Sequence, residues 1–434
     1  MAAVRHRFHS RDGAAPPTGS PSPEGARRRV PPGFGIIWTT VAVDLVGFGM
    51  VFPLLPLYAR RFGASPATIG LLVASFSAAQ FALAPVWGRL SDRIGRKPVL
   101  IMSLVGTAVG SLATGLAGSV WLLFAARIVD GGSGGSLGVA HAAAADLAGP
   151  SERPRLFGLL GAAFGVGFVA GPALASLAAL GGARLPFLIA AGIAAANAVV
   201  AVVRLPETHP RSARHESATQ RSEAARAAPT AASNSQRRVL IALGVATVCS
   251  ISAFSAFEAV FALYANHRAS LGLSGTGGVF AVIGVLIVVV QTQLVHRVVA
   301  WLGDAVTLVA GLVIQAVGLV LLPTAHSLAG LAVPLVVLTV GQGLVSPTLS
   351  LLVAGRAPSW RRGGALSIQQ GLSSLARVIG PAFAGWLFTL RGGTGAFLVG
   401  AGVTVVAVAA SVLVARDRGG MSGSDLGKEA VTGS

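Results

Sequence analysis

The chain has 434 residues, of which 53% are hydrophobic and only 11% charged, and its formal net charge is +18. Soluble domains carry roughly 25% charged residues, so this composition excludes an ordinary water-soluble enzyme or binding module. The single cysteine, Cys249, excludes an intramolecular disulfide, and the fold must be held by helix packing.

Apolar runs long enough to cross a bilayer, which takes about 20 residues each, recur from residue 34 to residue 416. Short polar joints separate these runs, and a longer polar segment divides them six and six. The sequence therefore predicts an all-α membrane protein with twelve transmembrane helices. The predicted spans are residues 34–58, 67–87, 98–118, 120–144, 157–181, 184–204, 237–265, 273–296, 304–322, 326–354, 363–390 and 393–416.

The 33 Lys and Arg residues are distributed unevenly among the joints. If the N-terminus is cytoplasmic, 26 of them fall in cytoplasmic segments, five in segments on the other side and two inside helices. This bias follows the positive-inside rule. It predicts an integral protein of the cytoplasmic membrane with both termini in the cytoplasm, and a basic charge that serves orientation rather than nucleic-acid binding.

Three polar segments are predicted to lie outside the helices, namely an N-terminal tail (residues 1–33), a linker (205–236) and a C-terminal tail (417–434). They are too polar to bury a core, so we expect them to be disordered in the cytoplasm. The N-terminal tail also lacks the apolar region of a signal peptide. The expected organisation is a six-helix bundle over residues 34–204 and a second over 237–416.

The second half of the sequence repeats features of the first. GVGFVAGPALA (165–175) matches SLARVIGPAFA (374–384) at an offset of 209, and GRLSDRIGRKPVL (88–100) matches HRVVAWLGDAVTL (296–308) at an offset of 208. Two matches at nearly the same offset, in corresponding spans, predict that the two bundles are pseudosymmetric, as in transporters built from repeated units.

The segment GRLSDRIGRKPVL, here called the charged joint, lies between the second and third predicted spans. Its cations suit a cytoplasmic joint, because basic residues anchor at lipid headgroups, and its glycines permit tight turns. Topology does not explain Asp92, however. A carboxylate can accept N–H groups at the N-terminus of a helix, and Arg93 or Arg96 can pair with Asp146, at the end of the fourth span, or with Glu207, after the sixth.

The charged joint is accordingly predicted to act as a latch that closes the cytoplasmic side in an outward-facing state. The alternative is a solvated loop that only sets topology. The gating residues assigned to this latch are Gly88, Arg89, Asp92, Arg93, Gly95, Arg96, Lys97, Asp146 and Glu207.

These residues resemble the major facilitator superfamily, and within it the twelve-helix drug:proton antiporters. The stretch from Gly88 to Lys97 matches the family's loop motif between helices two and three at almost every position. Arg127 in RIVDGGSGG matches the family's membrane-embedded arginine motif, with Asp130 where glutamine is usual. Gly171 and Pro172 fit the fifth-helix motif of antiporters.

The resemblance implies the major facilitator fold, two pseudosymmetric six-helix bundles around a central cavity. It also implies export of a small amphipathic compound against proton entry by alternating access. Under this interpretation Asp92 would meet the N-terminus of the eleventh helix, and Gly171 and Pro172 would shape the helix that seals one face.

The segment DLVGFGMVFPLLPLYARRFGAS (44–65) is similar to the first helix of tetracycline-efflux proteins. Those proteins carry acids in helices three and nine and often a histidine in helix eight. This chain has Gly110, Gln315 and Ile287 at those places. The departure implies a cargo other than tetracycline.

Four ionisable residues are predicted to lie near the bilayer centre, namely Asp44, Arg127, Asp130 and Glu258. Each costs roughly 2.5–3.5 kcal/mol near the bilayer centre on insertion scales. Asp44 is the first candidate for the proton carrier, and its alternative role is a static hydrogen-bonded acid. Asp130 lies at i+3 from Arg127 and can pair with it on one helix face, either structurally or in coupling. Glu258 contacts substrate or proton, or else lies near the outer mouth.

The predicted proton-coupling residues are therefore Asp44, Asp130 and Glu258. Substrate binding is assigned to Asp44, Arg127, Glu258, Gln80 and Gln342, although buried amides also join helices. The glycines of DGGSGGSLG lie in a span with no following lysine, so they predict close helix packing and not a phosphate cradle.

No Walker motif, metal-ligand spacing or catalytic triad stands out, so the sequence predicts neither an enzyme nor a cofactor. The expected partners are a small-molecule substrate, protons and the lipid bilayer, with no nucleic acid or nucleotide and with the chain acting as a monomer. Two alternatives stay open: a uniporter or importer of a metabolite such as a sugar, and a lipid-handling or sensory membrane protein without small-molecule flux.

Overall fold

The computed structural model describes residues 30–148, 152–208, 234–357 and 362–416. Helices joined by short turns make up nearly all of these segments. Most of the predicted tails and linker, namely residues 1–29, 209–233 and 417–434, lies outside the described residues, so the expectation of disorder stays a prediction.

The first half of the chain forms a helical bundle, here called the first bundle. Its helices are α1 (Phe34–Val51), α2 (Leu55–Arg60), α3 (Pro66–Ile94), α4 (Arg96–Gly115), α5 (Val120–Ser133), α6 (Ser136–Leu147), α7 (Arg153–Ala179) and α8 (Leu185–Arg204).

The second half forms the second bundle. Its helices are α9 (Asn234–Ala269), α10 (Leu273–Val289), a π-helical turn (Val290–Leu294), α11 (Val295–Leu302), α12 (Asp304–Leu321), a 3₁₀ turn (Leu322–Thr324), α13 (Leu328–Arg356) and α14 (Arg362–Arg416).

Ten helices in the described residues are long and apolar enough to cross a membrane. The fourth predicted span is missing from these ten because it is broken into α5 and α6, each shorter than a full crossing. The eleventh and twelfth are counted as one because α14 runs for 55 residues, with a non-helical residue, Gly392, between its two parts. With both adjustments the described helices fit the predicted twelve spans.

Local sequence explains where several helices begin. Ser65, Ser119 and Ser327 each accept a hydrogen bond through Oγ from the backbone N–H three residues ahead, at 3.1, 3.3 and 3.1 Å. Such serine caps satisfy a donor that the first helical turn leaves free. Pro66 follows Ser65 at the first helical position, where its fixed φ suits the helix and its missing N–H costs nothing.

The two bundles touch through α3 against α14 and through α7 against α10. We call the side on which the charged joint lies the basic face and the other side the opposite face. Near the opposite face Ala67 donates its N–H to Thr389 Oγ1 at 3.1 Å, and Ser176 Oγ donates to the carbonyl of Ser274 at 2.7 Å. Both hydrogen bonds join the two bundles.

The hydrophobic core is continuous across the bundles only toward the opposite face. There one cluster contains Tyr58 and Phe187 of the first bundle together with Phe257 and Phe397 of the second. Toward the basic face, one cluster belongs to the first bundle and another to the second. The bundles are therefore sealed together at the opposite face and separate toward the basic face.

Exposure along α3 supports this geometry. The six consecutive residues 81–86 are all exposed, and six residues cover every direction around a helix that turns once in about 3.6 residues. The basic-face half of α3 is thus uncovered on the side toward the second bundle as well as on its outer side.

The predicted repeat is visible in the structure. Gly95 and Gly303, which the sequence aligns, both have positive φ, 110° and 76°, and both separate consecutive helices. Tyr58 donates to the Gly115 carbonyl, and Tyr264 donates to the carbonyl of Leu322. Equivalent turns and equivalent tyrosine bonds confirm that the two bundles are pseudosymmetric.

Candidate functional site

Asp44 lies in α1, ten residues after the helix begins, or about 15 Å along its axis at 1.5 Å per residue. Ser136, the first residue of α6, donates a hydrogen bond from Oγ to Asp44 Oδ2 at 2.6 Å. The second carboxyl oxygen, Oδ1, is buried and has no hydrogen-bond partner among the described residues. Asp44 therefore combines one satisfied oxygen with one orphaned oxygen at membrane depth.

Ser136 reaches Asp44 because the fourth span is broken. The α5 helix ends at Ser133, Gly134 and Gly135 form the break, and α6 starts at Ser136. Close packing holds the glycines of this region: a side chain at Gly131 would overlap the backbone of Phe76, and one at Gly135 would overlap Trp87. This agrees with the prediction of close helix packing.

Arg127 and Asp130 form an ion pair within α5, as their i+3 spacing predicts. Both are buried, with Arg127 only 1% exposed. The Arg127 guanidinium also lies over the ring of Phe76, 5.0 Å from its centroid, which adds a cation–π contact. The charge of Arg127 is thus compensated locally.

Glu258 lies in α9 with 7% of its surface exposed, among the aromatic residues of the opposite-face seal. Arg377, in α14, is near enough for its charge to act on Glu258. Gly380 lies one turn from Arg377 and packs directly on the backbone of Ser252, so the two helices touch closely here. Glu258 and Arg377 are thus neighbours on adjacent helices, but within the described structure they do not form an ion pair.

Arg96 is the centre of the charged joint. It is 4% exposed; its NH1 donates to Asp92 Oδ1 at 2.7 Å and its Nε donates to Asp146 Oδ2 at 2.9 Å. Glu207 accepts the backbone N–H groups of Arg96 and Lys97, at 2.9 and 3.3 Å. Arg96 is therefore buried in a polar network and does not anchor at the headgroups as expected for the cations of this joint.

Each of these contacts of Arg96 lies within the first bundle. They tie together α3, α4, α6 and the chain that follows α8. Asp92 is paired with Arg96 here, and residues 358–361, which precede α14, lie outside the described part of the chain. The contact predicted between Asp92 and the start of the eleventh span in an outward-facing state stays a prediction.

The remaining predicted gating residues differ in their surroundings. Arg89 and Arg93 are exposed and Lys97 is half-buried. Gly88 is in open space, whereas Gly95 adopts the positive φ that lets α3 turn directly into α4. Gly171 packs on the backbone of Gly49 in α1, and the carbonyl of the next residue, Pro172, faces Gly277 in α10. The Gly171–Pro172 pair thus sits where the two bundles meet.

The two predicted amides have separate environments. Gln80 Nε2 donates to the carbonyl of Gly134 at 3.2 Å, so Gln80 contacts the break in the fourth span. Gln342 is buried in α13, and its Oε1 has no hydrogen-bond partner. For comparison, both ends of the buried Gln315 amide bond to Ser250, at 2.9 and 3.1 Å.

Sequence reasoning missed two partners, Ser136 for Asp44 and Arg377 for Glu258. In each case the partner lies on a different helix, so no i+3 or i+4 spacing reveals the contact. The run of glycines around residues 131–135 was the available signal for the broken helix, because glycine is the usual residue where backbones approach closely.

Comparison with known proteins agrees with this architecture. The sequence profile of the Major Facilitator Superfamily matches residues 37–358 and 296–432. The class C tetracycline resistance protein of Escherichia coli is 30% identical over 384 residues, which cover 86% of this chain and 95% of that protein. The chain belongs to the major facilitator superfamily.

Two further proteins resemble this chain, one in sequence and one in structure. Multidrug resistance protein 2 of Bacillus subtilis is 33% identical over 184 residues, 42% of this chain and 46% of that protein. The crystal structure of a human organic anion transporter superposes with a TM-score of 0.66 at 24% identity, covering 87% of this chain and 98% of that one. The two relatives from Escherichia coli and Bacillus subtilis are drug-resistance proteins, the group that the sequence motifs indicated. This chain is a multi-pass membrane transporter.

Proposed function

We propose that this chain is a proton-coupled antiporter that exports a small amphipathic compound across the cytoplasmic membrane by alternating access. The observation that carries the proposal is Asp44, an acid at membrane depth whose second oxygen has no partner. An ionisable group in a membrane span marks an ion or substrate pathway by default. The tetracycline and multidrug resistance relatives support export as the direction and drugs as the cargo class.

The orientation follows from the basic residues. Under the positive-inside rule the basic face is cytoplasmic and both termini lie in the cytoplasm. The described conformation, sealed at the opposite face, would then admit cargo from the cytoplasm. A monomer suffices for this mechanism, because the pathway lies between the two bundles of one chain.

Within this proposal the buried charges have different roles. Asp44 carries the proton, and cargo contacts Asp44, Gln80 and Gln342. Arg127 and Asp130 form a compensated pair, and Glu258, with Arg377 nearby, is a second acid whose protonation would accompany the change of state. Arg96, held by Asp92 and Asp146, belongs to the part of the charged joint that would close the cytoplasmic side.

The test begins with a growth-inhibition panel across antibiotic classes in a strain that expresses the chain. Compounds to which it confers resistance are then assayed in proteoliposomes with an imposed pH gradient. We expect cargo movement to follow the gradient, and Asp44→Asn to reduce gradient-driven transport at least tenfold, since an asparagine cannot take up a proton.

Asp304→Asn is the matched control, because Asp304 lies in the first turn of α12 at the basic face and not at membrane depth. It should retain near-normal transport. Cargo movement that ignores the pH gradient and survives Asp44→Asn would instead favour a uniporter. No flux of any panel compound would favour the lipid-handling or sensory alternative.

A further inference from the structure

The break in the fourth span leaves a specific set of backbone carbonyls without helical partners. In a continuous helix the carbonyls of Gly132, Ser133 and Gly134 would accept the N–H groups of residues 136, 137 and 138. In this structure they accept side-chain donors from neighbouring helices. Trp87 Nε1 bonds the Gly132 carbonyl at 2.6 Å, Gln80 Nε2 bonds that of Gly134 at 3.2 Å, and Ser103 Oγ bonds that of Ser133.

Trp87 and Gln80 thus supply donors to two of these carbonyls, and Ser103 adds a donor to that of Ser133, which also accepts the Gly135 N–H at 2.7 Å. An unsatisfied backbone group in hydrocarbon costs several kcal/mol, so a break at membrane depth persists only where the protein supplies partners. Trp87 and Gln80 come from α3, and Ser103 comes from α4. The break is therefore built into the packing of the first bundle and is not a local irregularity of α5.

The same break creates a helix N-terminus beside Asp44. Ser136 is the first residue of α6, a helix of 12 residues, and its N-terminal end carries the partial positive charge of the helix dipole. The Asp44 carboxylate is bonded to this residue at 2.6 Å. The Asp44 carboxyl thus meets a hydroxyl at a helix end, and no arginine or lysine among the described residues forms an ion pair with it.

The second bundle lacks both features. At the repeat offset of 208 residues, Gly134 and Gly135 correspond to Gln342 and Gly343, which lie inside the unbroken helix α13. The tyrosines Tyr58 and Tyr264 align α1 with α9 at an offset of 206. In this alignment Ser250 corresponds to Asp44. The bundle with an acid at this position of its first span is the bundle with a broken fourth span, whereas Glu258 lies eight residues beyond Ser250 in α9.

We propose that the break in the fourth span serves to position the proton carrier, Asp44. Ser136 is a positioning residue that holds ionised Asp44 at the N-terminus of α6. The inference deepens the proposed function and rests on it. A proton that reaches Asp44 from water would bind at the orphaned Oδ1. The neutral carboxyl would then no longer be held by the helix end.

Other titratable groups on the helices packed against α1 either bond to groups other than Asp44 or lie at the basic face. In α6, His141 Nδ1 contacts the carbonyl of Leu137, and Asp146 is paired with Arg96. The rest lie at the ends of α7 and α8: Arg153, Arg155 and Arg204. Ser136 is the side chain that bonds Asp44 in the described structure.

Infrared spectroscopy of the purified full-length chain in lipid tests the inference without knowledge of the cargo. The carboxyl C=O band of protonated Asp44 is assigned by its loss in Asp44→Asn and is titrated with pH. Ser136→Ala removes a hydrogen-bond donor to the charged form of Asp44, so it disfavours that form. We expect it to move the midpoint of that band upward by about one pH unit, and Ser136→Thr to restore it.

Two matched controls separate this effect from a general disturbance. Ser133 Oγ donates to the Val129 carbonyl of its own helix at 2.8 Å, so Ser133→Ala is the first control and should leave the midpoint in place.

Trp87→Phe is a second test, because it removes one donor to the break, and it should move the midpoint in the same direction as Ser136→Ala. The control for Trp87→Phe is a substitution of another tryptophan. Trp38→Phe removes a similar bond, to the Leu159 carbonyl at 2.7 Å, and should not.

An Asp44 band whose midpoint is unmoved by Ser136→Ala, or moved equally by Ser133→Ala, would overturn this inference and leave the proposed function standing. If Asp44→Asn removes no titrating band, the proposed function itself fails, and this inference fails with it.

Discussion

At the scale of single residues, the buried charges of this transporter fall into two kinds. Arg127 is compensated by Asp130 within one turn of α5, whereas the Asp44 carboxyl is bonded by a neutral hydroxyl, that of Ser136. A compensated pair contributes little net charge, so it resists changes in pH and suits a structural role. An acid without a cationic partner gains most from taking up a proton, which suits a carrier.

The ion pair in α5 can be tested for that structural role. Asp130→Asn would leave Arg127 buried without its counter-charge, and breaking a buried pair in this way costs roughly 3–5 kcal/mol. We therefore expect a clear loss of thermal stability in detergent. The double variant Arg127→Gln, Asp130→Asn removes both charges and should recover most of it, as measured by the midpoint of thermal unfolding.

Recovery in the double variant would establish Asp130 mainly as the partner of Arg127. If the double variant is as unstable as Asp130→Asn alone, compensation of charge does not explain the pair. If both variants are stable but fail to transport, the alternative left open by the sequence, a coupling role for Asp130, is supported.

Residue contacts within one helix were predictable from the sequence, and contacts between helices only in part. The pairing of Arg127 with Asp130 follows from spacing alone. The sequence predicted that Arg93 or Arg96 pairs with Asp146 or Glu207; Arg96 pairs with Asp146, whereas Glu207 accepts backbone N–H groups. That Arg377 lies near Glu258 depends on how α9 packs against α14, and hydropathy carries no information about that rotation.

At the scale of helices, the spans were predictable because each needs a long apolar run, but their interruptions were not. The break at Gly134 and Gly135 and the π-helical turn at Val290–Leu294 both lie inside apolar runs. Whether a glycine or a glutamine in such a run interrupts the helix depends on donors from neighbouring helices. Trp87 and Ser103 supply such donors from 30 or more residues away along the chain.

The first turn of α4 provides a prediction at this scale. Glu207 accepts two backbone N–H groups there, and such capping of a helix start by a carboxylate stabilises it by about 1 kcal/mol. Glu207→Gln removes the charge and leaves one acceptor oxygen. We expect faster amide hydrogen exchange in a peptide covering residues 93–100, with little change elsewhere.

Glu152→Gln is the control for this measurement. Glu152 also stands immediately before a helix, α7, but its side chain makes no capping hydrogen bond. Its substitution should not accelerate exchange at the start of α7. Equal acceleration in both variants, or none in Glu207→Gln, would contradict a capping role for Glu207.

At the scale of the whole molecule, the two bundles share a framework but differ in their polar content. The framework comprises the positive-φ turns at Gly95 and Gly303 and the tyrosine bonds of Tyr58 and Tyr264. It was predictable, since two sequence matches with nearly the same offset suffice to reveal it. The difference lies at Asp44 and the broken fourth span, to which Ser250 and the unbroken helix α13 correspond in the second bundle.

Alternating access requires that the seal at the opposite face can open, and that seal depends on small residues. A side chain at Gly385 in α14 would overlap the carbonyl of Pro66 and the backbone of Gly70 in α3. Gly385→Val should therefore separate the bundles at this face and shift the population toward a state that is open there. Gly402→Val, in the same helix but with no atom within 4 Å of an added Cβ, is the control.

Spin labels at the exposed positions 61 and 391 report the separation. The variants Arg61→Cys and Arg391→Cys are combined in a Cys249→Ala background, and the distance between the labels is measured by pulsed electron resonance. We expect a larger long-distance population in Gly385→Val than in the parent chain, and no change in Gly402→Val. An unchanged distribution in Gly385→Val would mean that contact of α3 with α14 does not keep the opposite face closed, and the seal would then have to be sought between α7 and α10.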